Sequence, residues 1–303
     1  MEFKQIEAFV NVVRYRNFSR AADATFLSQP TISAHINNLE NELGIILLNR
    51  QGKEVSMTTQ GELFYPYAVS MLNASEQAKQ TVHGMKTGVE GILEIQASSI
   101  PGQYLVPELI GNFHKEFPNV KIILEQSDSH EVMENIINQK GEIGFTGTKK
   151  NNQLEYEQIY TDDMVLLTPN KGKFAEISGD EIDLKMLEDC DFILREAGSA
   201  TKAELEKLQI KGESLLKKVK VVAHMNNMDA IRRAVAAELG VSIVSGCAMR
   251  ELEWCKDIRC FHIKGAEQTR HFYMVRHKNG VMSPAAERFW KHVLEAREEG
   301  KIV

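Results

Sequence analysis

Little in this sequence ties it to a membrane, an oxidising compartment or catalysis. Its 303 residues contain no apolar run near the roughly 18 residues a membrane span needs. The opening, MEFKQIEAFVNVV, carries Glu2 and Glu7 inside an amphipathic pattern, so it does not read as a secretion signal. Cys190, Cys247, Cys255 and Cys260 form no Cys-x-x-Cys pair and have no histidine at zinc spacing. They read as free thiols, and the expected location is the cytoplasm. The nine histidines are scattered, with no i, i+4 pair on a helix. A G-x-S-x-G elbow, H-E-x-x-H, a P-loop and G-x-G-x-x-G are all missing. No catalytic residue, metal or cofactor is expected. Basic charge is lacking too: the net charge is −6, and residues 1–60 balance six Lys/Arg against six Asp/Glu. A nucleic-acid partner would have to be met by local architecture, not bulk charge.

What is present is an ordinary globular composition, 43% hydrophobic and 26% charged. Phe3, Ile6, Val10 and Val13 recur at helical spacing and predict a first helix. Ser19 is placed to cap a short second helix containing Ala21, Ala22 and Phe26, where small alanines allow close helix approach. The stretch SQPTISAHINNLENELG then opens with Ser28 or Gln29 as a cap and Pro30 in the first turn, where its missing N–H costs nothing. Ile32, Ile36, Leu39 and Leu43 make one buried stripe, and Gly44 suits a left-handed stop. Thr31, Ser33, Ala34, His35 and Asn38 face away from that stripe. Two helices with a tight turn, the second bearing short polar side chains near its start, fit a major groove. Arg50 and Lys53 fall near the tip of a two-stranded wing, where they could meet phosphates or a minor groove.

The segment FSRAADATFLSQPTISAHINNLENELGIILLNR resembles the winged helix-turn-helix of LysR-type transcriptional regulators. Paired alanines, the S-Q-P start, Ser33, Ile36, Leu39-Glu40, Leu43-Gly44 and the closing Leu-x-Arg carry the likeness. It implies that Gln29, Pro30 and Ser33 read bases, with Thr31 beside them and Arg20 among the DNA contacts. The chain departs from many relatives at Ala34 and at Asn37-Asn38, where arginines are common.

Thr59-Gln60-Gly61-Glu62 fits a capping box. From there Phe64, Tyr67, Met71, Ala74, Ala78, Val82 and Met85 step along one seam as far as Gly88. Such a rod wants a partner helix, and a homodimer is expected through it. Pro66 lies well inside and predicts a bend.

From Gly91 the pattern alternates. GILEIQA, VKIILEQ, GEIGFTG, MVLLTP, VKVVAH and GVSIVSG read as strands, and 101–117, 129–139, 201–210 and 226–238 as helices. This predicts α/β layers with mainly parallel strands. The family resemblance implies a two-lobed effector-binding domain similar to periplasmic binding proteins. The expected organisation is a DNA-binding domain at 1–58, a linker helix at 59–88 and an effector domain at 91–303. Lobe I would comprise 91–162 and 268–303, and lobe II 163–267. Ligands of open α/β lobes bind beyond the carboxyl ends of strands. The candidates there are Ser98, Ser99, Gly102, Gln103, Ser127, Thr146, Ser199, Thr201 and Asn226. Amides and hydroxyls at such helix starts suit an anion. SSIPGQYLVPEL resembles regulators of sulfur assimilation and cysteine synthesis, and a branch associated with selenium metabolism. The expected partners are thus an interrupted palindrome in double-stranded DNA, a small anionic effector and further copies of the chain, as a dimer or tetramer. Two other readings compete. One is a two-lobed small-molecule binding protein without a DNA role. The other is a thiol-based redox regulator acting through Cys247, with Cys255 or Cys260 as resolving partner.

Overall fold

The computed structural model describes residues 1–50, 55–83, 89–188, 190–195, 205, 208–210, 213–249, 256–264 and 269–302. Lys53, Ser199, Thr201 and Cys255 lie outside the described residues.

Three helices, α1 (Phe3–Tyr15), α2 (Phe18–Thr25) and α3 (Gln29–Leu43), form the N-terminal head. Ile6, Phe9, Val10 and Val12 of α1 pack against Ala21 and Ala22 of α2 and the α3 stripe Ile32, Ile36 and Leu39. Phe3, assigned from its spacing to the buried face, is exposed. The cap of α2 is Asn17 rather than Ser19. Its Oδ1 accepts from Ser19 N–H at 2.9 Å and Arg20 N–H at 3.0 Å, two orphan amides that a residue just before the helix is placed to reach. Phe26 is not on the apolar face of α2. It ends that helix in a left-handed conformation (φ +55°) and is 97% exposed. Ser28 caps α3, Pro30 stands in its first turn and Gly44 closes it at φ +69°. Strands β1 (Leu48–Asn49) and β2 (Ser56–Met57) pair antiparallel as the wing.

Helix α4 (Thr59–His83) follows at once. Its cap is Thr58, one residue before the expected Thr59: Thr58 Oγ1 accepts from Gly61 N–H at 3.0 Å and donates to Ile46 O at 2.7 Å. The helix runs unbroken through Pro66. Its inner face, with Tyr65, Ala68 and Val69, packs on the head, Phe9 lying 5.5 Å from Phe64 between ring centroids. Leu63, Tyr67, Ala74 and Ala78 repeat along an exposed outer face.

The rest of the chain is two α/β lobes sharing one long strand. In lobe I, β3 (Gly91–Ser98) lies between β4 (Val120–Ser127) and β5 (Ile143–Thr146), all parallel. Helices α5 (Ser99–Tyr104), α6 (Val106–Glu116) and α7 (Ser129–Ile137) connect or cover them. The single helix expected over 101–117 is thus two, divided at Leu105. Strand β6 (Leu154–Pro169) is the shared element. Six further strands are β7 (Glu181–Ile182), β8 (Asp191–Arg195), β9 (Gln209–Ile210), β10 (Glu213–Ser214), β11 (Lys220–Met225) and β12 (Ser242–Ser245). They are followed by β13 (Ile258–Ile263) and β14 (Thr269–His277), with α8 (Met228–Ala236) before β12 and α9 (Pro284–Glu298) closing the chain. From Leu154 to Asp163, β6 pairs with β14 in lobe I; from Met164 it pairs with β12 and β13 in lobe II. These β6 pairings are antiparallel, as is β14 with β5. The sheet is therefore mixed, not mainly parallel, because β6 and β14 run against the βαβ strands on either side.

Candidate DNA interface and effector cleft

The first turns of α3 present Gln29 and Pro30 to solvent, with Ala34 and Asn38 exposed further along. Thr31, Ser33 and His35 are half-buried at the flanks. Thr31 belongs to the cap as well: its N–H donates to Ser28 Oγ at 3.3 Å, and the two hydroxyls lie 2.8 Å apart. A preceding serine thus fixes where the exposed turn begins. Arg20 is exposed on α2, its backbone N–H held by Asn17. Arg50 is engaged within the head. Its Nη2 donates to Asn37 Oδ1 at 2.6 Å and Glu40 Oε2 at 2.8 Å, and its guanidinium lies 5.5 Å from the Phe18 ring centroid. A phosphate would have to compete with those bonds.

Glu40 is the residue whose role the sequence did not disclose. Its Oε1 also accepts from Leu47 N–H at 2.8 Å and Leu48 N–H at 3.1 Å. One carboxylate therefore rivets the start of the wing to α3. The spacing of seven and eight residues follows no helical or strand period, so only the motif in which Glu40 stands could have pointed to it.

The second site is the facing edges of the two lobes. Strand register sets Ser98 beside Ser127, and Ala97 beside Phe145, the neighbour of Thr146. Ser98, Ser127 and Thr146 thus share the carboxyl edge of β3, β4 and β5. Ser98 and Thr146 are buried and Ser127 is half-buried. Thr146 Oγ1 accepts from Thr148 N–H at 3.3 Å. Ser98 stands at the cap position of α5, and Ser99 is the first residue of that helix. Gly102 packs so tightly that a Cβ there would lie 3.1 Å from Ala97 Cβ, whereas Gln103 is exposed. On lobe II, register pairs Arg195 with Met225, which places Asn226 at the same edge; it is exposed, beside Asn227, whose side chain caps α8.

Arg195 joins the two edges. It is 3% exposed, and its Nη2 donates to Ser99 Oγ at 3.1 Å across the cleft. Spacing along the chain does not point to this arginine, because its partner stands 96 positions away. Deeper, at the crossing of β6, Asp162 accepts from Arg270 Nε at 2.8 Å, Ser245 Oγ at 2.7 Å and Cys247 N–H at 3.0 Å. Burial pushes the Arg270 guanidinium below its ordinary range, against the pull of Asp162. Cys247 is buried in that knot and lacks the exposure that redox-sensing thiols carry. Cys190, Cys247 and Cys260 are all free thiols. Among the described residues no cluster of His, Cys, Asp or Glu could hold a metal ion, and no helix is long and apolar enough to cross a membrane.

A model of the bacterial regulatory helix-turn-helix of the lysR family matches residues 3–62, and one of the LysR substrate binding domain matches residues 86–298. The chain belongs to the LysR family. The HTH-type transcriptional regulator CysL of Bacillus subtilis is 30% identical to this LysR-family chain, over 95% of it and 93% of CysL. A full-length OxyR variant from Pseudomonas aeruginosa shares the fold at a TM-score of 0.80, with 19% identity over 98% of this chain and 97% of that one. Full-length CbnR complexed with its target DNA matches at a TM-score of 0.58, with 21% identity over 98% of this chain and 100% of CbnR. A LysR-type regulator of transcription with a DNA-binding head and an effector-binding domain accounts for the whole described structure. Its relatives are regulators, not enzymes.

Proposed function

We propose that this LysR-type regulator works in the cytoplasm, reading an interrupted palindrome through α3 and controlled by a small anion held between its lobes. Gln29, Pro30 and Ser33 meet base edges, with Thr31, Ala34, His35 and Asn38 around them. Arg20, Arg50 and Lys53 supply the phosphate contacts. The outer face of α4 pairs two copies of the chain, and paired heads match a twofold site. The division is a head at 1–58, a linker at 59–88 and an effector domain at 91–303, whose lobes part where β6 changes partners.

The observation that carries the effector reading is the buried Arg195 guanidinium bonded to Ser99 across the cleft. A buried cation bonded to Ser99, on the lobe whose strand edge carries the hydroxyls of Ser98, Ser127 and Thr146, suits an oxyanion or a carboxylate. The likeness of SSIPGQYLVPEL to sulfur-assimilation regulators, together with 30% identity to CysL, favours a sulfur- or selenium-containing anion. An anion that binds the closed lobes more tightly than the open ones shifts the head by that difference alone.

A thermal-shift screen of sulfate, thiosulfate, selenate and O-acetylserine should give a stabiliser whose effect disappears in Ser99→Ala and Arg195→Gln. A stabiliser equally effective in both variants would remove the effector from this cleft. Ser33→Arg should abolish the gel shift of duplexes selected by the wild type while that stabilisation persists. A normal shift would displace α3 from the groove.

A further inference from the structure

The head and lobe I of one protomer meet along a seam of two unlike parts. The linker part is a set of hydrogen bonds: Asn73 Nδ2 to Val281 O at 2.8 Å and to Glu142 Oε1 at 3.1 Å, and Ser70 Oγ to Gln139 Oε1 at 2.8 Å. The head part is an ion pair. Arg14 on α1 gives its Nη2 to Glu94 Oε2 on β3 at 3.0 Å, beside Tyr65 of α4. The pair borders a cavity of about 500 Å³ with polar walls, among them Arg16, Glu62, Gln96, Glu125 and Lys140. The apolar core of the head and that of lobe I form separate clusters and do not merge through this seam. Among the described residues the two apolar cores stay apart, so a directional, charge-assisted contact beside a cavity is placed to set the angle of the head.

Glu94 stands on the strand that ends at the cleft. Ser98 stands four positions further on, about 13 Å along β3 at ~3.3 Å per residue. Between them Gln96 is buried and held from both sides, donating to Glu125 Oε2 at 2.8 Å and accepting from Asn135 at 3.0 Å. The strand is thereby a stiff link from the cleft to the head.

We propose that Arg14 and Glu94 are positioning residues for DNA binding. The pair sets the angle at which each head is held on its own lobe I, and so the spacing and bend of the duplex that two heads can grip together. The proposal rests on the regulator reading above. Arg14 lies on α1, outside the first turns of α3, so the pair acts through posture and leaves base contacts intact.

The test uses full-length protein and a duplex selected by the wild type from a random pool. Wild type, Arg14→Glu, Glu94→Arg, the double exchange and the milder Glu94→Gln are compared. Bend angle is read from circularly permuted fragments, and half-site spacing from hydroxyl-radical footprints. The single variants and Glu94→Gln are expected to change the bend and weaken full-site binding about tenfold, with affinity for a lone half-site at the wild-type value. The double exchange should restore both. Bend and footprint unchanged in the single variants and Glu94→Gln would overturn the proposal. Defects that the exchange does not repair would also overturn it, showing a structural role instead. If the wild type selects no duplex, the regulator reading falls first and this inference with it.

Discussion

Replacing Glu142 with glutamine should make the protein more stable at pH 8 and leave it nearly unchanged at pH 5. Glu142 joins three elements: its Oε1 takes bonds from Asn73 of α4 and Ser283 N–H, and its Oε2 takes one from Ser283 Oγ at 2.8 Å, where Ser283 caps α9. Burial pushes its carboxyl from the ordinary 4.5 up to about 7, the bonds from Ser283 opposing. Of the charged groups facing it, Glu94 pushes the same way and Arg14 opposes, while His277 lines the same small pocket. A carboxyl with a raised folded-state pKa binds its proton more tightly when folded. Stability is therefore greatest below the ordinary value and declines as pH climbs through it to about 7, where the whole cost is present. At about 1.4 kcal/mol per unit the cost reaches ~3 kcal/mol. Glutamine is neutral at every pH and keeps an acceptor for Asn73 and Ser283 N–H. Urea unfolding followed by fluorescence, at pH 5 and pH 8, would read the difference. Equal effects of the substitution at both pH values, or a loss of stability at pH 8, would refute the reasoning.

Asp162→Asn removes the counter-charge of the buried Arg270 and should cost about 3–5 kcal/mol, seen as a lower urea midpoint; an unchanged midpoint would mean that Arg270 is balanced elsewhere. Gly61→Ala places a Cβ 2.1 Å from the Leu47 carbonyl oxygen, a backbone atom that cannot swing aside. It should destabilise the head by about 1–3 kcal/mol, and a head melting at the wild-type temperature would show that α4 and the wing are not so tightly joined. Ser28→Ala should cost about 1 kcal/mol through the lost cap of α3, and calorimetry that finds no cost would assign the N-terminal amides another acceptor.

The most legible part of the sequence was the part whose contacts are local. Ser28, Pro30, the stripe Ile32, Ile36 and Leu39, and Gly44 each act within a few residues, so spacing alone drew α3. Where a neighbour competes for the same local role, the reading slipped by a residue or two: Asn17 outcompetes Ser19, and Thr58 stands in for Thr59. Strand β6 was seen only from its apolar half, MVLLTP, because LEYEQIYTDD mixes charges into a stretch that is partly exposed. The cleft was found only in part. Its hydroxyls follow strand ends that can be counted, whereas the arginine that faces them arrives by tertiary folding. The same holds for the ties of Arg50 to Asn37 and Glu40, and of Arg14 to Glu94.

Strand β6 is a single 16-residue ribbon that belongs to both lobes. Sliding one lobe past the other would break ladder bonds on both sides at once, so the cheap movement is a twist about the point near Asp163 where the ribbon changes neighbours. In a pivot of that kind, travel grows with distance from the axis. A turn too small to alter packing beside Asp162 would be felt first at the rims, where the seat of Arg14 on β3 lies farther out.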